Sequence, residues 1–161
     1  MKSGMISFGI MERVIFGEAT AAAIAKEAER TGAKRVFLLV GGTLNRETDE
    51  VKKIISALGP RFCGLHDNMP AHSPRDAVIE CANAARESKT DLLVTFGGGS
   101  VTDGGKAVTI CLEHGITNID DLEPYRTTVD ETGKRHFPQY GSPKVRQIAV
   151  PTTLSGGEFN A

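Results

Sequence analysis

Two apolar runs that lack alternation constrain this chain more than any other feature. Residues 36–40 read Val-Phe-Leu-Leu-Val and residues 91–96 read Asp-Leu-Leu-Val-Thr-Phe, and glycine follows each at once. A strand with one wet face alternates apolar and polar side chains, so a run that is apolar throughout needs cover on both faces. The cover is written between and after the runs. Val51, Ile54, Ile55 and Leu58 recur at three- and four-residue spacing within 46–58, which puts one apolar stripe on a helix. Ala77, Val78, Cys81 and Ala85 do the same within 74–89, and Ala107, Val108, Cys111 and Leu112 within 101–114. Strand, turn and helix therefore repeat in order. That order predicts an α/β, Rossmann-like three-layer domain with a mostly parallel sheet, helices on both sides and right-handed crossovers.

The remaining segments fit around this frame. Residues 19–30 are rich in Ala, Glu and Lys and end at Thr31-Gly32, as a helix does. Two short apolar runs, 5–8 and 13–16, predict a ribbon at the N-terminal edge of the sheet. Residues 61–66 and 147–150 are further strand candidates. Ser73 is the expected cap of the helix that Pro74 opens. Residues 125–142 carry charges, Gly133 and Pro138 and read as a surface excursion with a hairpin.

Composition removes whole classes of function. The 19 Lys and Arg against 20 Asp and Glu leave a formal charge of −1, with the basic residues scattered, so no field exists to grip a polyanion such as nucleic acid. The apolar stretches are of strand length, and the N-terminus has no signal-peptide core, so a soluble, cytoplasmic chain without a membrane role is expected. Three widely spaced cysteines, Cys63, Cys81 and Cys111, suit a reducing compartment and a place in the core.

Chemistry is concentrated after the 91–96 run, in Phe96-Gly-Gly-Gly-Ser-Val-Thr-Asp-Gly-Gly-Lys106. Gly97, Gly98 and Gly99 carry no side chains to block a pyrophosphate, and the first-turn amides of the following helix favour negative charge. Ser100 adds a hydroxyl. Asp103 and Lys106, three apart, share a helix face, one accepting hydrogen bonds and the other supplying positive charge. A plain strand-to-helix turn with a surface Asp–Lys pair is the alternative. The loop is neither the G-x-G-x-x-G fingerprint of a first βαβ unit nor a Walker loop. A second polar cluster, Thr152, Thr153 and Ser155, follows the last strand candidate, at an edge where open sheets bind ligands; turn formation or helix capping competes with that reading. His66 and His72 bracket a loop but specify no metal site, and no residue carries a catalytic motif.

The pair of motifs, Gly97-Gly-Gly-Ser-Val-Thr-Asp-Gly-Gly-Lys-Ala107 and Ile148-Ala-Val-Pro-Thr-Thr-Leu-Ser-Gly-Gly-Glu158, resembles the cofactor half of the iron-containing alcohol dehydrogenase family, of dehydroquinate synthase-like architecture. Asp67-Asn-Met-Pro-Ala-His-Ser-Pro74 and Arg13-Val-Ile-Phe-Gly17 resemble its maleylacetate reductase branch. The resemblance implies NAD or NADP as cofactor, with Gly97, Gly98, Gly99 and Ser100 at the pyrophosphate, Asp103 and Lys106 toward the nicotinamide, and Thr152, Thr153 and Ser155 as a second contact. It implies hydride transfer between C=O and CH–OH groups on a small carbonyl or alcohol substrate, and a homodimer or larger assembly at full length. Residues 1–161 then form an NAD(P)-binding domain, a fragment of a longer enzyme and inactive alone. A helical C-terminal domain would hold the substrate and Fe(2+) or another divalent metal. Relatives commonly carry Asp after the first core strand, where this chain has Gly41-Gly-Thr-Leu, and Gly-Ser-Glu where it has Ser155-Gly-Gly-Glu158. The competing expectations are a stand-alone nucleotide-binding or remnant protein without catalysis, and a dehydroquinate synthase or glycerol-1-phosphate dehydrogenase relative.

Overall fold

The computed structural model describes residues 11–159. Helix α1 (Thr20–Arg30) leads into strand β1 (Val36–Val40), and helices α2 (Gly42–Glu47) and α3 (Glu50–Leu58) lead to β2 (Phe62–His66). Helix α4 (Arg75–Glu87), β3 (Leu92–Gly97) and α5 (Gly99–Glu113) follow. A hairpin of two-residue strands, β4 (Thr128–Val129) and β5 (Arg135–His136), precedes β6 (Arg146–Pro151).

The main sheet runs β2-β1-β3-β6 and every pairing in it is parallel. Alternate residues of the apolar runs feed two separate cores. Val36, Leu38, Val40, Leu92, Val94 and Phe96 pack against α1 and α3 through Ile24, Ala28, Val51, Ile54 and Leu58. Phe37, Leu39 and Leu93 pack against α4 and α5 through Val78, Cys81, Ala85, Val108 and Cys111. Both faces are thus covered, which is why β1 and β3 are buried at every residue. This is the expected three-layer, mostly parallel Rossmann-like domain.

Local departures have local causes. The 46–58 helix is two helices, because Thr48 is extended (φ −130°, ψ 165°), with its hydroxyl donating to the Leu44 carbonyl at 2.6 Å. Such side-chain bonds to nearby backbone compete with the helical ladder. Pro74, not Ser73, occupies the N-cap of α4, and Ser73 donates its hydroxyl elsewhere. Helix α5 begins at Gly99, two residues earlier than the apolar stripe suggests. The edge ribbon does not form in its second half: residues 13–16 are irregular, with Arg13 Nη1 held to Glu27 at 3.2 Å, and residues 5–8 lie outside the described residues. No helix among the described residues is long and apolar enough to cross a membrane.

Candidate functional site

The sheet reverses its winding between β1 and β3. The helices after β1 pack on one face and the helix after β3 on the other, so the carboxyl ends of these neighbours open a crevice where doubly wound sheets place ligands. Glycines line it. The Gly41 N–H donates to the Phe96 carbonyl at 2.9 Å, and a Cβ on Gly41 would lie 3.9 Å from the Gly97 Cα, so the two backbones run side by side at the mouth.

Gly98 is the N-cap of α5, and its carbonyl accepts from the N–H groups of Val101 and Thr102 at 3.0 and 3.1 Å. The N–H groups of Gly99 and Ser100 precede the helical ladder and point out of the helix end, where the dipole is positive. No carboxylate stands in this first turn.

The segment after β6 folds over the same helix end. The Thr152 N–H donates to the Gly97 carbonyl at 2.9 Å, extending the β3–β6 pairing past the sheet. A Cβ on Gly98 would meet Thr153 Cγ2 at 3.3 Å and Oγ1 at 3.6 Å; one on Gly99 would meet Ser155 Oγ at 3.2 Å. Two glycines therefore stand against two hydroxyl-bearing residues so closely that a side chain on either would crowd them. Lys106 Nζ donates to the Gly157 carbonyl at 2.6 Å and pairs with Asp103 Oδ1 at 3.2 Å, which ties the segment down one turn along α5. The nine sequence candidates, Gly97, Gly98, Gly99, Ser100, Asp103, Lys106, Thr152, Thr153 and Ser155, accordingly share one end of the molecule, with Asp103 and Lys106 under the 157 turn.

The 67–74 loop is part of this arrangement, although its residues alone did not announce it. The His72 N–H donates to Ser100 Oγ at 3.0 Å, and the Ser73 hydroxyl donates to the Ser100 carbonyl at 2.7 Å. His72 and Ser73 both adopt left-handed backbone conformations, φ 65° and 47°, which are costly for residues with a Cβ. Because the Ser100 oxygen accepts from His72, its own proton is available to a ligand. Asn45 Nδ2 donates to Asp67 Oδ2 at 2.7 Å and joins the loop to α2. The only signal for these contacts was the clustering of Asn, Pro, His and Ser in one short stretch.

Histidines and thiols behave as structural groups. His66 is buried at the end of β2, His72 is exposed, and among the described residues no group of three or more His, Cys, Asp or Glu could hold a metal ion. The described residues therefore offer no site of their own for a divalent metal. His114 is the C-cap of α5 and lies 4.6 Å from Tyr125, ring to ring. Burial pushes the Cys81 thiol up to about 12 and the Cys111 thiol to about 11, so neither is a nucleophile at neutral pH.

Fold and site together define a Rossmann-like α/β domain with a glycine-rich helix end at its switch point. The comparisons with known proteins refine that class: the chain belongs to the iron-containing alcohol dehydrogenase family, whose model matches residues 11–161. It is 36% identical over 147 residues to maleylacetate reductase 2 of Cupriavidus pinatubonensis, covering 91% of this chain and 32% of that protein. Maleylacetate reductase 1 of Rhodococcus opacus is 33% identical over 156 residues, covering 97% and 34%. Among solved structures, an iron-containing alcohol dehydrogenase from Thermococcus thioreducens superposes with a TM-score of 0.73 at 26% identity, covering 91% of this chain and 37% of that one. Sulfoacetaldehyde reductase from Bifidobacterium kashiwanohense, solved with NAD+, has the same fold, with a TM-score of 0.69 at 23% identity, covering 89% and 35%. The chain thus spans about a third of the length of the curated relatives it matches.

Proposed function

We propose that residues 1–161 form the NAD(P)-binding portion of an oxidoreductase that interconverts C=O and CH–OH groups, of the alcohol dehydrogenase or maleylacetate reductase type. The observation that carries this reading is the pairing of Gly98 with Thr153 and Gly99 with Ser155 across the N-terminal end of α5. Side-chain-free backbone on one wall, hydroxyls on the other and unpaired amides at the base suit a pyrophosphate, which needs close approach and several donors. The cofactor fits these residues: Gly97 to Ser100 would take the phosphates, Thr152, Thr153 and Ser155 would close over them, and Asp103 and Lys106 would flank the nicotinamide half.

When bound, the nicotinamide supplies or accepts the hydride. The chain's own contribution is to hold the dinucleotide and fix its direction across the crevice. The substrate pocket, any divalent metal and the assembly belong to the rest of a longer protein, so this portion binds cofactor without turning over a ketone or keto acid. Titration with NADH and NADPH, followed by fluorescence enhancement, tests the reading. Saturable binding of at least one is expected; failure of both to bind the folded chain would reject it.

A further inference from the structure

The crevice has a second wall, at the end of β1, that the pyrophosphate does not use. Gly41-Gly42-Thr43-Leu44 contains no acid, although this strand end adjoins the glycine loop of β3. Instead the Arg46 guanidinium folds back one helical turn over Gly42: Nη1 and Nη2 lie 2.7 and 3.2 Å from where a Gly42 Cβ would be. Among the described residues no carboxylate is within ion-pair range of Arg46, and its side chain is exposed. Asp67, whose carbonyl borders the same position, has its Oδ2 engaged by Asn45.

We propose, resting on the cofactor-binding reading above, that Arg46 is the coenzyme-selecting residue of this crevice, receiving the 2′-phosphate of NADP in preference to the free 2′-hydroxyl of NAD. Dinucleotide-binding sheets discriminate the two coenzymes at the ribose beside the phosphate loop. A carboxylate there bonds the 2′-hydroxyl and repels a 2′-phosphate, whereas an arginine accommodates the phosphate. With pyrophosphate at the α5 end and the Thr153–Ser155 wall on the β6 side, the ribose that extends the other way comes to rest over Gly41 and Gly42. The missing side chain of Gly41 admits it, and Arg46, folded over Gly42, stands beside it with a planar, uncommitted fork of donors suited to a phosphate dianion.

The test uses 2′,5′-ADP and 5′-ADP, which differ only in the phosphate at issue, and then NADPH and NADH, all by calorimetry on the 161-residue chain. At low ionic strength the 2′-phosphorylated member of each pair is expected to bind at least tenfold tighter. Arg46→Ala should cut that ratio at least fivefold, with circular dichroism confirming the fold. Gly41→Asp should cut or invert it, since a Cβ there meets only ordinary contacts of 3.6–3.9 Å. Equal affinities in the wild type, or a ratio that survives Arg46→Ala, would overturn the assignment while leaving the cofactor site standing. Failure to bind any of the four ligands would instead remove the cofactor reading, and this inference with it.

Discussion

Gly105 and Thr95 meet where helix α5 crosses strand β3, so closely that a Cβ on Gly105 would stand 2.3 Å from Thr95 Cγ2 and 2.8 Å from Gln147 Nε2. Gly105 therefore sets how near the helix lies to the sheet, whereas a Cβ on Gly104 would meet Met69 instead, at 3.0 Å. Gln147 locks the crossing by donating to Thr95 Oγ1 at 2.8 Å and to the Thr102 carbonyl at 3.1 Å.

Gly105→Ala is the direct test of that contact. In an exposed helix the change would gain about 1 kcal/mol. Here the methyl meets a wholly buried β-branched side chain with little rotamer freedom, and overpacking of this kind costs about 1–3 kcal/mol. The clash prevails, and a fall in the urea midpoint equivalent to about 1–2 kcal/mol is expected. A raised midpoint would mean that β3 and Gln147 yield to the methyl.

The parts of the molecule that the sequence made legible are those with a physical period. Residues 36–40 and 92–96 could be read as doubly covered strands because apolar positions run without alternation, Thr95 being the one polar residue, and α3, α4 and α5 because Val51, Val78 and Val108 belong to single stripes. What stayed hidden rests on bonds without a period. The extended backbone of Thr48 divides α2 from α3, and nothing in 13–16 marks that run as held by Arg13 to Glu27 rather than paired as a strand. Gly97 to Ser100 stood out through composition, whereas the landing of His72 and Ser73 on Ser100 links residues 28 and 27 positions apart, each bond joining one serine hydroxyl to one backbone group, and follows no period.

Gly98→Val should abolish NAD(P)H binding and leave the fold intact. The first added carbon sits 3.3 Å from Thr153 Cγ2, so the exposed Thr153 must give by a few tenths of an ångström, and the two methyls beyond it crowd the helix end assigned to the pyrophosphate. Fluorescence enhancement of NADH and NADPH is expected to vanish while the far-ultraviolet circular dichroism stays near wild type. Binding that persists within threefold would move the phosphates elsewhere.

The thiols carry a pH prediction. Burial is the main cause that holds Cys81 and Cys111 near 12 and 11, against an ordinary 9.0. In that range the folded state keeps protons that the unfolded chain releases, so stability falls as pH rises from about 9 through the folded values. The part-buried Cys63, raised less by burial and opposed by its contact with Thr90, is expected to be the one cysteine of the three that Ellman's reagent labels in the native chain at pH 8. The double variant Cys81→Ala/Cys111→Ala should show a shallower fall in urea midpoint between pH 9 and 11. Rapid labelling of all three thiols at pH 8 would contradict the burial argument.

Lys106 has two tasks available to it, and one variant separates them. Its Nζ donates to the Gly157 carbonyl and pairs with Asp103, so in the free chain it anchors the segment that carries Thr153 and Ser155. A hydrogen bond from a charged donor contributes about 1.5–3 kcal/mol, and part of that is lost to solvent because the lysine is a quarter exposed, 26%. Lys106→Met keeps the stem and removes the charge. If anchoring is its task, amide exchange at Gly156 and Gly157 should quicken before any ligand is added, and NAD(P)H affinity should fall about tenfold, equivalent to about 1.4 kcal/mol. If its charge instead acts directly on the dinucleotide, affinity falls with exchange unchanged, and the loss shrinks as salt is raised. The 2.6 Å bond to Gly157 favours the first result, in which the segment bearing Thr153 and Ser155 is held in place by the helix whose end it covers.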